Sequence, residues 1–382
     1  MTKEQLLDKI DELYETYLRV WEEICNIESP TDYKDGVDAV GRYFAAKGTE
    51  FGWKVEILPQ PVSGDVVILT MNPDAPGQPI AFSAHMDTVH PVGSFGTPAV
   101  RRDESTIYGP GVSDCKGGAA AALYTMDALA QCGFTSRPVM LLLQSDEEKG
   151  SAPSGYSTIR AICEKAKDAV AFLNCENGSS GKVAMERKGI LRYEFTVRGK
   201  AAHSADCLNG ANAIAEAAHK ILALEQMKDK TGLTCNCGVI SGGTVANVVA
   251  EECRFTADIR FATASQMNEA RETVQRIAEE TVIPGCSCTA LEVSHRPAME
   301  KSEKNYALLK RMNEILADAD MEPLTPVSRA GGSDAAYTTE AGIPCVDSMG
   351  VDGTGIHSLR EHVPLQSLRT TAKRLAVLAW KI

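Results

Sequence analysis

No run of about 18 apolar residues occurs in the 382-residue chain, so the sequence offers no membrane-spanning helix. The first 27 residues carry charges throughout and contain no apolar h-region, which argues against a secretory signal peptide. Basic residues are in deficit, 39 against 51 acidic ones, for a net charge of −12. That balance excludes the clustered Lys and Arg footprint of a nucleic-acid binder. The 12 cysteines are dispersed, and none pair at the C-x₂₋₄-C spacing usual for structural zinc. Two tighter pairs, Cys235-Asn-Cys237 and Cys286-Ser-Cys288, would have to converge to make a four-thiolate site; ordinary reduced thiols in a cytoplasm are the expectation. Internal repeats and low-complexity linkers are also missing.

What is present describes a globular protein: 44% hydrophobic and 24% charged residues over a length that suits about two domains. Leu6, Ile10, Leu13, Tyr17 and Val20 recur at helical spacing and predict a helix over 3–27, with Thr2 and Gln5 as a capping box and Pro30 as a stop. Apolar strands then alternate with helices: WKVEILP, DVVILTM and PIAFSAHMDTV, the Ala-rich helix GGAAAALYTMDALAQCG, and RPVMLLLQSDEE. Near-continuous apolar strands between helices indicate an α/β sheet covered on both faces.

After about residue 185 the pattern changes to half-exposed strands, and β-α-β-β-α-β order follows from ILRYEFTVRGK to CSCTALEVSH. That order is the ferredoxin-like split unit. Segments with catalytic character flank it on both sides, so it reads as an insertion. The helices NYALLKRMNEILADA and LQSLRTTAKRLAVLAWKI follow the return at Pro297.

Five segments carry the chemistry. His85 and Asp87 lie two apart at a strand end and so share a face, one as metal ligand and the other as the carboxylate that orients it. Asp114 sits in the Gly-rich turn GPGVSDCKGG, whose spacing is not that of a phosphate loop. Glu147 and Glu148 follow an apolar strand directly, where one can bind metal while its neighbour serves as general base. Glu176 follows the strand AVAFLN, and His357 lies in the glycine-rich loop VDGTGIHS. Taken singly, each has an ordinary reading: a core histidine, a helix-capping aspartate, a solvated acidic turn. Their succession at strand ends points instead to a carboxylate–imidazole metal site suited to zinc or cobalt.

AHMDTV, GPGVSDCKGG, SDEEKGS, GKAAHSA, GGTVANVV, GGSDAAY and GIHS, in that order, resemble the zinc-dependent aminoacylases and exopeptidases that include glutamate carboxypeptidase, acetylornithine deacetylase and succinyl-diaminopimelate desuccinylase. The resemblance spans nearly the whole chain. It implies a zinc-exopeptidase-like three-layer α/β/α catalytic domain of residues 1–187 and 298–382, interrupted by a ferredoxin-like α+β lid of residues 188–297 through which a homodimer forms. It implies two Zn²⁺ per chain, with Co²⁺ or Mn²⁺ also tolerated by such ligands. Asp114 would bridge them, His85 and Glu176 completing one half and Glu148 and His357 the other. Glu147 would be the general base, Asp87 would orient His85, and a cis peptide would join Asp114 to Cys115. His203 would reach a partner subunit's site, and Asn247, Arg260, Arg296 and Gly332 would contact substrate, with Lys182 a further pocket residue. The implied reaction is hydrolysis of an amide next to a free carboxylate in a small peptide. An N-acyl amino acid deacylase, a dipeptidase, or a metal-free binding scaffold on the same fold are the alternatives.

Overall fold

The computed structural model describes residues 1–382, which divide into two compact units. The first comprises Met1–Glu186, Lys301–Ser328 and Ser333–Ile382; the second comprises Arg187–Glu300 and Arg329–Gly332. The chain thus returns three residues later than the expected 298, and the excursion at 329–332 is additional. Backbone pairing explains both: Arg187 and Met299 exchange two hydrogen bonds of 3.0 Å, and Lys188 N–H donates to the Arg329 carbonyl.

In the first unit, helix Lys3–Asn26 begins with the reciprocal Thr2–Gln5 capping box. Leu6, Ile10, Tyr17 and Val20 are buried, but Tyr14 rather than Leu13 fills the inward position that follows Ile10. The buried stripe steps by four from Ile10 and then by three to Tyr17, as a 3.6-residue period allows. Tyr17 stacks on Tyr124 at 4.5 Å between ring centroids, and its hydroxyl donates to Asp127 at 2.8 Å.

The unit's main sheet has six strands in the order Lys54–Leu58, Val66–Met71, Val139–Gln144, Ile80–His85, Ala171–Asn174, Cys345–Val346. The second strand runs antiparallel to both its neighbours, and the last four run parallel. Every residue of Val66–Met71, Ile80–His85 and Val139–Gln144 is buried. Burial of alternate residues alike means both sheet faces are covered. Helix Lys34–Glu50 packs on the two strands nearest the antiparallel edge, while Lys116–Gln131 packs on Ile80–His85 and Val139–Gln144. Lys3–Asn26 and Leu365–Lys381 pack in turn on Lys116–Gln131.

The second unit is a four-stranded antiparallel sheet in the order Thr234–Gly242, Glu252–Phe261, Gly189–Arg198, Ser287–Arg296. This is the ferredoxin-like arrangement. Burial alternates along its central strands, so one face is covered, by helices Ala213–Glu225 and Ala264–Glu279. Phe195 and Phe255 stack beneath them at 4.4 Å. Cys235 and Cys237 lie on one edge strand and Cys288 on the other. Three strand spacings, roughly 14 Å, separate the edges, which rules out a shared four-thiolate centre. No helix is long and apolar enough to cross a membrane.

Candidate metal centre

Three neighbouring parallel strands end at the same sheet edge, and each delivers a polar residue there. Ile80–His85 ends on His85, Val139–Gln144 runs on into the 3₁₀ turn Glu147–Lys149, and Ala171–Asn174 leads to Glu176. The carboxyl edge of parallel strands is where α/β proteins place their ligands. Asp114 arrives from the loop before helix Lys116–Gln131. Close approach there depends on Gly118, where a Cβ would fall 1.9 Å from the Cys175 carbonyl oxygen. The bare glycine lets the helix start flush against the strand end that carries Glu176. The Asp114–Cys115 peptide is cis. Cys115, not Asp114, occupies the helix N-cap position and makes no side-chain cap, so Asp114 is not spent on capping.

His357 comes from a turn whose base is the paired residues Thr354 and His362, with two backbone hydrogen bonds of 3.0 Å. Its backbone is left-handed, φ 59°, which is uncommon outside glycine and frequent at functional sites.

Five groups fall into two halves that share Asp114. Its Oδ1 is 3.1 Å from His85 Nε2, and its Oδ2 is 3.2 Å from His357 Nε2. Glu176 Oε1 adds 3.5 Å to His85 Nε2, and Glu148 Oε2 adds 3.3 Å to His357 Nε2. Donor atoms of His85, Asp114 and Glu148 lie within 4.8 Å of one another, close enough for one cation to touch several of them. Glu147 is buried beside this set.

Asp87 is fully buried behind His85. Its carboxylate lies 3.3 Å from His85 Nδ1, while its backbone carbonyl is nearer, at 2.9 Å. Both are acceptors, so Nδ1 carries a proton and Nε2 is the nitrogen turned to the cluster. The same carboxylate accepts the backbone N–H of Glu147 at 3.2 Å and of Glu148 at 3.1 Å, and the Thr31 hydroxyl at 2.8 Å. Asp87 therefore orients the acidic turn as well as the imidazole.

Without a cation, all of this set but Asp114 hold protons more firmly than usual. Burial, reinforced by Asp114, raises Glu148 to about 7 and pushes Glu176 well above the carboxylic range. Hydrogen bonds to Asp114 and Glu148 lift His357 to about 10. His85 is raised too, its carboxylate neighbours outweighing the burial that opposes its charge. Burial would raise Asp114, but its bonds to both histidines hold it far below the usual carboxylate value. Acceptor oxygens and imidazole nitrogens facing one another at these distances fit divalent cations, which would displace those protons.

Cys115 is fully buried, and its Sγ donates to the Cys175 carbonyl at 3.0 Å. Burial pushes the thiol well above its ordinary value. Lys182 is exposed at the start of strand Lys182–Arg187.

The remaining expected residues belong to the second unit. His203 is exposed, and its Nδ1 accepts the Ala205 N–H at 3.1 Å, leaving Nε2 as the donor of the neutral ring. Its segment pairs with Val248, and Ser204 N–H donates to the Asn247 carbonyl, so His203 and Asn247 are neighbours. Arg260 forks onto Asp258, with bonds of 2.6 and 3.2 Å, so a substrate carboxylate there would share the guanidinium. Arg296 is buried against Gly332, where a Cβ would come 2.7 Å from Arg296 Cδ.

Sequence reading missed Glu361. It is 1% exposed and receives backbone N–H groups from the Asp114 loop. It also missed Lys116, wholly buried, whose Nζ caps the end of helix Lys3–Asn26 through the Ile24 and Ile27 carbonyls at 3.3 and 2.7 Å. A charged residue without exposure is the one general signal for such groups, and burial is not visible in a polar stretch like HSLREHV.

The family described as Peptidase family M20/M25/M40 matches residues 81–381. Carboxypeptidase G2 of Pseudomonas sp. (strain RS-16) is 28% identical over 359 residues, covering 92% of this chain and 85% of that protein. Acetylornithine deacetylase of Myxococcus xanthus is 27% identical over 305 residues, 76% of each chain. Among solved structures, aminopeptidase PepT from Bacillus cereus ATCC 10987 superposes with a TM-score of 0.77 at 21% identity, covering 96% of this chain and 98% of that one. The metallo-carboxypeptidase Sso-CP2 from Sulfolobus solfataricus gives 0.76 at 17% identity, with 96% and 98% covered. At such identities these structures establish the shared fold.

Proposed function

The chain belongs to peptidase family M20/M25/M40, and from that premise we propose that it is a two-metal hydrolase of amide bonds adjacent to a free carboxylate, closest in action to a glutamate carboxypeptidase. One observation carries the reading: Asp114 offers one oxygen to each of two histidines, each of which has its own glutamate partner. We assign His85 and Glu176 to one ion, Glu148 and His357 to the other, and Asp114 to both. Zn²⁺ suits these ligands, and Co²⁺ or Mn²⁺ are tolerated by the same chemistry.

When bound, such a pair would supply Lewis acidity toward the scissile carbonyl and the attacking water. The protein's own steps follow from its residues. Glu147, adjacent to Glu148 and held by the Asp87 carboxylate through its backbone, accepts the proton of the attacking water and returns it to the leaving amine. Asp87 keeps His85 in the tautomer that presents Nε2. His203, with Nε2–H free to donate, stabilises the developing oxyanion and is supplied by the second unit of a partner copy in a homodimer. Arg296, Asn247 and Arg260 are the candidates for the substrate carboxylate, with Gly332 leaving room for the Arg296 side chain.

Similarity to carboxypeptidase G2 over 92% of the chain favours the exopeptidase reading. Similarity to acetylornithine deacetylase supports deacylation of N-acyl amino acids as the second reading. Dipeptides, N-acyl amino acids and folate-like glutamates assayed side by side distinguish the two. Selective turnover of the folate-like compounds supports the first reading, selective turnover of acyl amino acids the second, and inactivity of the metal-loaded protein on all of them overturns both. The complete donor set argues against a metal-free binding scaffold.

A further inference from the structure

Glu361 lies four residues beyond His357, on the same turn, yet its carboxylate faces the loop that carries Asp114. Oε1 accepts the backbone N–H groups of Ser113 at 2.9 Å and Asp114 at 3.0 Å. Oε2 accepts that of Gly111 at 3.2 Å and lies 3.0 Å from His90 Nε2. A carboxylate only accepts, so His90 presents Nε2–H to it. Four donors thus converge on two oxygens in a place with almost no solvent.

The surrounding elements show what this contact joins. Strand Thr106–Tyr108, just before the Asp114 loop, pairs with His362–Pro364, just after Glu361, with His362 opposite Tyr108. The His357 turn closes on Thr354 and His362. Gly353 packs onto Ser113 so tightly that a Cβ would fall 2.5 Å from the Ser113 Cβ. Glu361 therefore sits where the His357 turn and the Asp114 loop meet, and those two segments bring His357 Nε2 to 3.2 Å from Asp114 Oδ2.

We infer that Glu361 is a positioning residue: it fixes Asp114 relative to His357 and so sets the geometry of the His357–Glu148 half of the centre, with His90 holding the carboxylate in place. This rests on the two-metal reading above. It explains why a carboxylate, and no amide, stands there. In Glu361→Gln one oxygen becomes an NH₂ group, which must face either the Gly111 N–H or the Ser113 and Asp114 N–H groups, donor against donor. The loop then withdraws, and Asp114 no longer holds both oxygens in register.

The test is a Co²⁺ titration of metal-free full-length protein, wild type and Glu361→Gln, followed by visible absorption and chelator competition, with thermal unfolding of the metal-free forms in parallel. Wild type takes up two ions. Glu361→Gln keeps one ion and binds the second about 10- to 100-fold more weakly, the usual scale for loss of a group that supports a metal ligand. Should the variant fail to fold, His90→Phe, which removes only the Nε2 contact, carries the same test and weakens the same ion. Two ions bound with unchanged affinities overturn the inference, also when the metal-free variant melts lower, because the role would then be structural alone. Uptake of one ion or none by the wild type overturns the two-metal reading and this inference together, whereas unchanged uptake by the variant overturns this inference only.

Discussion

Asp114 has the most consequential placement of any side chain in the first unit, because each of its oxygens answers a different imidazole. Glu147 differs in kind: in the proposed mechanism it moves the proton and holds no ion. Glu147→Gln is therefore expected to retain the metal content of the wild type while kcat falls about 10²- to 10⁴-fold, the range for loss of a general base. Elemental analysis and a steady-state assay on the same sample check this, and near-normal turnover contradicts the assignment. Tyr17→Phe provides a contrast far along the chain from the acidic turn. It strips a buried donor from Asp127 and should cost about 1.5–3 kcal/mol in urea unfolding, with kcat of the metal-loaded protein unchanged. Legibility at this scale followed one rule. His85, Glu147 and Glu176 could be picked out because each ends or closely follows an apolar run, so the strand's end and the polar residue announce each other. Glu361 and Lys116 could not, since their partners, backbone groups and the His90 ring, lie 89 to 271 residues away in sequence.

Elements bring these side chains together through contacts with little tolerance. Gly118 allows the first turn of Lys116–Gln131 to lie against Cys175, and no side chain fits between them. Gly118→Ala forces the helix away from the strand that leads to Glu176. The expected outcome is a loss of about 1–3 kcal/mol of stability by urea unfolding, typical of overpacking, together with weaker metal uptake. Wild-type stability in this variant would mean the helix start is not held as described. The element order of the second unit and the central strands of the first could be read from periodicity, since fully apolar strands and alternating ones leave different patterns, whereas helices Lys34–Glu50 and Ser157–Ala166 were not. That Tyr14 rather than Leu13 is buried on the first helix could not be read either, because the two are adjacent apolar residues, both reach the core, and only packing decides which is covered more fully. The excursion at 329–332 was equally hidden, as it is tied by backbone bonds that any sequence could make.

For the whole molecule, the acidic balance of −12 and the concentration of buried carboxylates at one sheet edge have a common consequence. The folded first unit binds cations that the unfolded chain cannot gather, so binding adds to stability by mass action. Chelation of the loaded protein should lower its stability by about 2.7 kcal/mol if free metal had stood at a hundred times the dissociation constant. Calorimetry with and without chelator measures this directly, and an unchanged melting profile contradicts it.

The most direct measurement is the number of ions per chain. Metal-free protein loaded with Zn²⁺, desalted and analysed for zinc against protein concentration should contain two per chain, one for each histidine–glutamate pair that Asp114 joins. One ion per chain or fewer after full loading would contradict the two-metal account, and none would return the fold to the status of a binding scaffold.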